Sequence, residues 1–319
     1  MNVHVDVEPV GDAESRAESR AESRAESGTE SLGRPRFGFT DAELAVHPTV
    51  YRDDLLAGKT VVISGGGTGM GKAMAFLASR LGANVVLCAR TLEKLTATQD
   101  SIEQLVGRRP MVVPMSIRDP DQVEMMLDTV LAEYGRIDTL INNAGGQFPQ
   151  NAIDFSRKGW LAVMDLNLNG TWWMMQETAK RWVAAGAGGN IVNIVATVER
   201  GMPQSAHCCA ARSGVIYLSK TLSTEWAPHK IRVNCVAPGI VETDGFAVYP
   251  DEALTRFHLA NPMQKRGDAW DVAEAVIYLA APSGKFITGE VVNVDGGQNQ
   301  WGVNWPAGIP DYFNIGGAA

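Results

Sequence analysis

The fold of this chain is decided by residues 60–71, which read TVVISGGGTGMG. The first five residues are mostly β-branched, as in a strand that is buried on both faces. Glycines then allow a tight turn and a close approach of the backbone to a phosphate, and a helical pattern begins at Met70. This strand–loop–helix context predicts a dinucleotide site. Its predicted contacts are Gly65, Gly67, Thr68, Gly69 and Met70.

Short apolar runs alternate with helical segments as far as residue 294. Strands are predicted at Thr60–Ser64, Asn84–Cys88, Met111–Met115, Thr139–Ile141, Asn190–Ile194, Arg232–Val236 and Val291–Val294. Helices are predicted at Met70–Leu81, Leu92–Leu105, Pro120–Tyr134, Arg157–Ala185, Ser205–Ala227 and Ala269–Ala280. Strands separated by helices predict an α/β fold, a single doubly wound Rossmann domain. Its seven-stranded sheet is expected to be mostly parallel, with helices on both faces and the ligand beyond the carboxyl ends of the strands.

The 319 residues suit one such domain with additional segments. Residues 11–31 repeat AESR and contain no apolar residue larger than alanine, so we predict a disordered low-complexity tail over 1–31. An N-terminal extension is expected over 32–55 and the Rossmann domain over 56–319. The stretch 241–267 lacks regular periodicity and precedes the last helix, which favours a substrate lid.

Composition excludes several classes of protein. The net charge of -8 argues against a general nucleic-acid binder, which needs a basic face. No run of about 18 apolar residues indicates a membrane span, and the N-terminus does not read as a secretory signal. The four cysteines show no disulfide framework and indicate reduced thiols in a cytoplasmic protein. We expect no metal site.

The choice of coenzyme is predicted from the end of the second strand, where residues 88–91 read CART. An acid here would hold the ribose hydroxyls of NAD, whereas an arginine accommodates the 2′-phosphate of NADP. No acid occurs between Asn84 and Leu92, and Arg90 offers charge-assisted hydrogen bonds to a phosphate. NADP(H) is therefore expected, with a solvated loop arginine as the alternative.

Further motifs follow the later strands: NNAG at 142–145, LNLNG at 166–170, Pro238-Gly239 with Thr243 beyond it, and VDGG at 294–297. Together with the glycine loop they resemble the short-chain dehydrogenase/reductase superfamily over residues 56–297. The resemblance implies that Asn143 and Ala144 line the adenosine side and that Ile240 and Thr243 contact the carboxamide and phosphates. The remaining coenzyme contacts expected from it are Ser116, Ile117, Gly145, Arg212, Pro238 and Gly239. Ser116 stands where relatives often carry aspartate.

The active site departs from the pattern of that superfamily, which uses Asn, Ser, Tyr and Lys. Cys208 and Arg212 stand at the Tyr-x3-Lys positions, and Ala196 followed by Thr197 stands at the serine position. Only Asn167 remains. Because arginine stays protonated at any working pH, it is a poor proton donor. A carbonyl reductase of the usual mechanism is therefore disfavoured.

One branch shares more of the local sequence. NAGGQF at 143–148, His207 before ARSGV at 211–215, TEWA at 224–227 and FITG at 286–289 resemble the peroxisomal trans-2-enoyl-CoA reductases and their 2,4-dienoyl-CoA reductase relatives. The resemblance implies reduction of a C=C bond conjugated with a thioester, an acyl-CoA-like substrate and a homodimer or homotetramer. Such chemistry needs negative charge on the carbonyl oxygen to be stabilised.

Candidate catalytic residues follow from that requirement. Asn167, Thr197 and Gln147 are candidate hydrogen-bond donors, Arg212 would hold the ribose or share in charge stabilisation, and Cys208 could donate a proton. Each candidate also has a structural alternative. Asn167 could brace a helix, Thr197 and Gln147 could be ordinary loop residues, Arg212 could lie on the helix surface, and Cys208 could be a buried structural thiol. Two other functions also stay open, a carbonyl or alcohol oxidoreductase with an atypical site and a non-catalytic NADP(H)-binding scaffold or sensor.

Overall fold

The computed structural model describes residues 37–248 and 254–301, so the predicted tail lies outside the described residues. The strands are β1 Thr60–Ser64, β2 Asn84–Ala89, β3 Met111–Pro114, β4 Thr139–Asn142, β5 Gly189–Ile194, β6 Ile231–Pro238, β7 Val241–Glu242, β8 Gly267–Asp268 and β9 Val291–Val294. Seven of them form one sheet in the order β3-β2-β1-β4-β5-β6-β9, and every pairing in it is parallel. The predicted doubly wound α/β fold is confirmed.

Helices cover the sheet. They are α1 Asp41–Val46, α2 Gly69–Arg80, α3 Leu92–Val106, α4 Pro120–Tyr134, α5 Arg157–Met164, α6 Gly170–Ala184, α7 Ala206–Glu225 and α8 Ala269–Ala280. Local chemistry sets their ends: the Asp119 carboxylate accepts from the first N–H groups of α4, and a left-handed Gly135 ends that helix. The predicted bounds of the strands and of most helices agree with the observed bounds within one or two residues, which is the usual uncertainty of an element end.

One predicted helix is wrong in its interior. The segment Arg157–Ala185 was expected as one α-helix, but a π-helical turn at Asp165–Asn169 separates α5 from α6. A π turn holds an inserted residue that hydrophobic periodicity does not reveal, and such turns occur frequently at functional sites. This one carries Asn167, which is 1% exposed.

The core lies on both faces of the sheet. In β1, Val61 and Ile63 pack with α2 and α8, while Val62 packs on the opposite face with α4 and α6. Alternate strand residues point to opposite faces, and a parallel sheet covered on both sides buries all of them. This arrangement brings the carboxyl ends of β1, β2, β4 and β5 to one edge.

Residues 37–55 pack on α2 and α8. Leu44 of α1 is buried, and the Nε1–H of Trp270 donates to the carbonyl of Pro48 at 3.0 Å. The Tyr51 hydroxyl donates to the carbonyl of Glu274 at 2.8 Å, and Arg80 donates to the carbonyl of His47 at 2.7 Å. Within residues 37–248 and 254–301, no helix combines the length and apolar character needed to cross a bilayer.

Candidate active site

The loop between β1 and α2 requires glycine at several points. Gly65 and Gly69 have φ angles of +68° and +51°, which L side chains rarely adopt. A Cβ on Gly71 would overlap the carbonyl oxygen of Gly65 and the side-chain amide of Asn143. The first N–H groups of α2 have no partner within the helix, so they are available to an anion at this edge.

Asn143 joins this loop to the end of β4. Its Nδ2 donates to the carbonyl oxygens of Ser64 and Gly65, both at 3.1 Å. The Ser64 hydroxyl in turn accepts from the backbone N–H groups of Asn143 and Ala144 at 3.1 and 3.0 Å. These bonds hold the carboxyl ends of two adjacent strands together and shape the floor of the site.

The predicted contacts after β2 and β3 surround the same edge. Arg90 is exposed, and it makes no ion pair with any described residue. The Ser116 hydroxyl accepts from the N–H of Arg118 at 3.3 Å, and Ile117 is buried against Gly170. Among the predicted contacts Arg90, Ser116 and Ile117, Arg90 therefore offers a charge to a ligand.

The contacts after β6 close the other side of the site. Pro238 ends β6, and the N–H of Gly239 donates to the carbonyl of Val294 at 3.0 Å. The N–H of Ile240 donates to Oε1 of Gln298 at 3.1 Å. Thr243 follows β7 and lies beside Gly69 at the start of α2. The structure therefore brings the two ends of the predicted coenzyme site together.

Arg212 is a buried cation at the centre of the site, with 7% of its surface exposed. Its guanidinium lies so close to Gly145 that a Cβ there would overlap it, and Nη1 has no hydrogen-bond partner among the described residues. Burial lowers the pKa of Arg212, while Cys208 and Cys235 raise it by smaller amounts. A guanidinium nevertheless stays charged in proteins, so the site holds a permanent positive charge without a carboxylate beside it among the described residues.

Cys208 lies one helical turn before Arg212 and forms a hydrogen bond with it. Burial raises the pKa of the Cys208 thiol, and the positive charge of Arg212 opposes that rise to a smaller extent. The thiol is therefore protonated at neutral pH. Cys208 and Arg212, which the sequence analysis placed at the tyrosine and lysine positions of the usual pattern, thus form one contacting pair.

The other candidate donors differ in their surroundings. Oδ1 of Asn167 accepts from the N–H of Gly146 at 3.0 Å, and its Nδ2 donates to the carbonyl of Gly146 at 2.9 Å. Thr197 is buried after β5, and Gln147 is exposed in the loop after β4. The carboxamide of Asn167 thus positions the loop beside Arg212, which agrees better with the bracing role than with direct contact to substrate.

Sequence reasoning missed an aromatic cluster beside Cys208, made of Phe148, Phe155 and His207. The ring of the fully buried His207 lies 4.7 Å from that of Phe148 and 4.4 Å from that of Phe155. Its Nδ1 accepts from the N–H of Cys208 at 2.8 Å, and burial lowers the His207 pKa, so the imidazole is neutral. The signal available in the sequence was His207 near the start of the predicted helix Ser205–Ala227, with Phe148 and Phe155 in the segment after β4.

The buried thiols predict how stability depends on pH. Burial raises the pKa of Cys88 to about 12 from 9.0 and that of Cys235 to about 11. Above the unfolded-state value the unfolded chain loses protons that the folded chain keeps, so the free energy of unfolding falls as pH rises through that window. We expect urea unfolding to show lower stability at about pH 10 than at about pH 8, and a smaller difference in Cys88→Ala. The half-exposed Cys209→Ala is the control, and an equal loss in both variants would contradict the assignment.

The glycine loop is braced by Asn143 and lies at the edge formed by the carboxyl ends of the strands. Together these features define a dinucleotide-binding α/β protein. The family model described as "Enoyl-(Acyl carrier protein) reductase" matches residues 65–299. The chain belongs to the short-chain dehydrogenase/reductase family of oxidoreductases, whose members use nicotinamide coenzymes.

Known relatives differ in their reactions. The peroxisomal 2,4-dienoyl-CoA reductase of Danio rerio is 33% identical over 263 residues, 81% of this chain and 87% of the relative. The 2-dehydro-3-deoxy-D-gluconate 5-dehydrogenase of Escherichia coli is 33% identical over 76% of this chain and 96% of the relative. The solved citronellol catabolism dehydrogenase of Pseudomonas aeruginosa is 34% identical with a TM-score of 0.71, covering 79% and 99% of the two chains.

Proposed function

We propose that this protein is an NADP(H)-dependent reductase of the C=C bond of an enoyl thioester, such as an acyl-CoA. The observation that carries the proposal is the buried guanidinium of Arg212, which has an unpartnered Nη1 and lies against Cys208. The site thus offers a permanent positive charge where the usual pattern offers a tyrosine acid. Stabilising an enolate oxygen needs such a charge, because the developing negative charge lies on that oxygen.

The residues of the site fit a nicotinamide dinucleotide. The glycine loop provides a cradle that a Cβ would fill, and Arg212, whose guanidinium lies against Gly145 after β4, has an Nη1 without a hydrogen-bond partner among the described residues. Arg90 would hold the 2′-phosphate, with Asn143, Ala144, Ile240 and Thr243 around the rest of the molecule. When bound, the reduced coenzyme supplies a hydride to the substrate.

The protein's own residues then have separate tasks. Arg212 stabilises negative charge on the thioester oxygen, with the Thr197 hydroxyl and Gln147 as further donors. Asn167 positions the Gly145–Gly146 backbone against the guanidinium. The cluster of Phe148, Phe155 and His207 provides an apolar wall for the acyl chain beside Cys208.

The α-carbon needs a proton, and Cys208 is our candidate source. A thiolate left by that transfer would lie beside Arg212, whose charge favours it. Comparing Cys208→Ala with the wild type separates the thiol from water as the source. A large fall in kcat for the variant supports the thiol, and unchanged kcat assigns the proton to water.

The central test is consumption of NADPH with a trans-2-enoyl-CoA, a 2,4-dienoyl-CoA and a panel of ketones. Turnover of either thioester, with saturated or mono-unsaturated product identified by mass, supports the proposal. Turnover of ketones alone would favour the carbonyl reductase alternative. Tight binding of NADPH without turnover of any substrate would favour the scaffold or sensor.

The choice of coenzyme is tested at Arg90. We expect Arg90→Ala to weaken NADPH binding about 30-fold, because one charge-assisted contact to a phosphate is worth about 2 kcal/mol, and to leave NADH binding unchanged. Arg108→Ala is the matched control: it is also an exposed arginine, but it follows the far end of α3, about 20 Å away. Equal affinity of the wild type for NADPH and NADH would overturn NADP(H) specificity.

We also propose a cytoplasmic homodimer or homotetramer. All four thiols are unpaired, which agrees with a reducing compartment. Exposed apolar side chains on α5 and α7, Trp160, Leu161 and Tyr217, offer surface for a second copy. Light scattering of the purified full chain measures the assembly directly, and a monomer would contradict this part of the proposal.

A further inference from the structure

We propose that residues 37–41, which precede the matched family region, are part of the coenzyme site and position the Thr243 loop over the start of α2. The inference rests on the coenzyme binding proposed above. We call these residues the strap. They lie outside residues 65–299, so the family match assigns them no role.

The strap contacts the Thr243 loop through its backbone. A Cβ on Gly38 would lie 3.3 Å from Cα of Thr243 and 3.5 Å from the N of Asp244. The N–H of Gly38 donates to Oε1 of Glu242 at 3.3 Å, and the other carboxylate oxygen of Glu242 pairs with Arg266 at 2.9 Å. Gly38 is therefore fitted against the loop that carries Thr243.

The opposite side of the same loop meets the coenzyme turn. A Cβ on Gly69 would lie 3.6 Å from Cβ of Thr243 and 3.5 Å from Oδ1 of Asp244. Thr243 thus lies between the strap and the first residue of α2. A cavity of about 100 Å³ opens here, and its lining includes Gly38, Gly69, Lys72 and Thr243. Asp41 holds Lys72 at this cavity through an ion pair of 2.9 Å.

Aromatic packing extends the contact along the lid. The rings of Phe37 and Phe246 are 5.9 Å apart, and those of Phe246 and Phe257 are 5.2 Å apart. Phe246 is buried, so the strap completes an apolar cluster with two separate parts of the predicted lid. Leu44, which is buried in the core, anchors the strap to the body of the domain.

These contacts predict that the strap positions the Thr243 loop for coenzyme binding. Coenzyme affinity is reduced by the fraction of molecules in which the loop is not in its binding arrangement. A strap that holds Thr243 near Gly69 raises that fraction without touching the reacting atoms. Displacing the strap should therefore weaken binding of the whole coenzyme more than binding of an adenosine fragment, which the glycine loop and Arg90 would hold.

Two glycine substitutions test the inference in the full-length protein. Gly38 and Gly58 have φ angles of +76° and +72°, so alanine is strained at both, but a Cβ at Gly58 would have no atom within 4 Å. We expect Gly38→Ala to raise the Kd of NADPH about tenfold relative to Gly58→Ala, measured by calorimetric titration. Adenosine 2′,5′-bisphosphate should bind both variants equally, and their melting temperatures should agree.

Each outcome decides the matter. Equal NADPH affinity in Gly38→Ala and Gly58→Ala would overturn the strap while leaving the proposed function intact. Equal weakening of NADPH and of the bisphosphate in Gly38→Ala would also overturn it, since the effect would then be general. A wild type that binds neither NADPH nor NADH would remove the proposed function as well. Phe37→Ala, with Phe37→Leu as the conservative control, allows the same comparison of NADPH affinity with bisphosphate affinity.

Discussion

Arg212→Met is expected to lower kcat/KM for the enoyl thioester by about 100- to 1,000-fold, the usual effect of removing one group that stabilises an oxyanion. The same variant should be at least as stable as the wild type. The reason is that the guanidinium is buried with an unpartnered nitrogen and without a described carboxylate beside it. Such a charge destabilises the folded state, and an apolar side chain of similar length relieves the penalty.

A second arginine provides the matched control. Arg232 is partly buried too, but its guanidinium donates to the carbonyl oxygens of Leu279, Gly284 and Ile287 at 2.8–3.3 Å. Arg232→Met should therefore lower the melting temperature and leave kcat/KM of the folded protein close to that of the wild type. Arg212→Met is thus expected to lower activity and Arg232→Met to lower stability, because the Arg232 guanidinium is hydrogen-bonded within the fold whereas Nη1 of Arg212 has no described partner.

Thermal unfolding and steady-state kinetics on the purified variants check both expectations. Arg212→Lys adds a graded comparison, since it keeps the charge and loses the planar donor geometry. Turnover in Arg212→Met equal to that of the wild type would remove Arg212 from the reaction. A strong loss of stability together with activity would make it a structural residue.

The second large effect is expected from Gly71→Ala. A Cβ there would overlap the carbonyl oxygen of Gly65, which is backbone, as well as the amide of Asn143. No side-chain rotation relieves such an overlap, so the loop or α2 must shift, and we expect a loss of about 3 kcal/mol in stability. Coenzyme binding should be lost with it, because the glycine loop and the Asn143 brace are displaced together.

The control is Gly66, which lies five residues earlier, in the loop between β1 and α2. A Cβ on Gly66 would meet only the terminal Cδ2 of Leu87 within 3.0 Å, and a flexible side chain can move aside. Gly66→Ala should therefore cost less than about 1.5 kcal/mol and retain measurable coenzyme affinity. Urea unfolding and calorimetric titration compare the two variants. Similar stability and affinity for Gly71→Ala and Gly66→Ala would contradict the prediction, because they would show that the close Gly65–Gly71 contact does not exclude a side chain at residue 71.

Hydrophobic periodicity and composition were sufficient to predict most elements of the fold. Seven apolar runs predicted the seven strands of the large sheet, and the glycine loop predicted where the coenzyme edge lies. The same reasoning failed at Asp165–Asn169, because an inserted residue in a π turn leaves the hydrophobic pattern of the surrounding helices unchanged. Residue type also left the role of Asn167 open between a donor to substrate and a brace, since it does not reveal that Oδ1 and Nδ2 each form a hydrogen bond with Gly146.

The sequence by itself determined the doubly wound α/β fold and the glycine-rich loop after β1, and it predicted that Cys208 and Arg212 occupy the positions of the usual tyrosine and lysine. Those features are local, since each depends on residue types at short spacings along the chain. The tertiary structure alone decided that the Arg212 guanidinium is buried against Gly145, that His207 packs between two phenylalanines and that Gly38 meets the Thr243 loop. Each of these contacts joins segments far apart in sequence, and only the packing of the whole domain determines which side chains are desolvated and which remain without a partner.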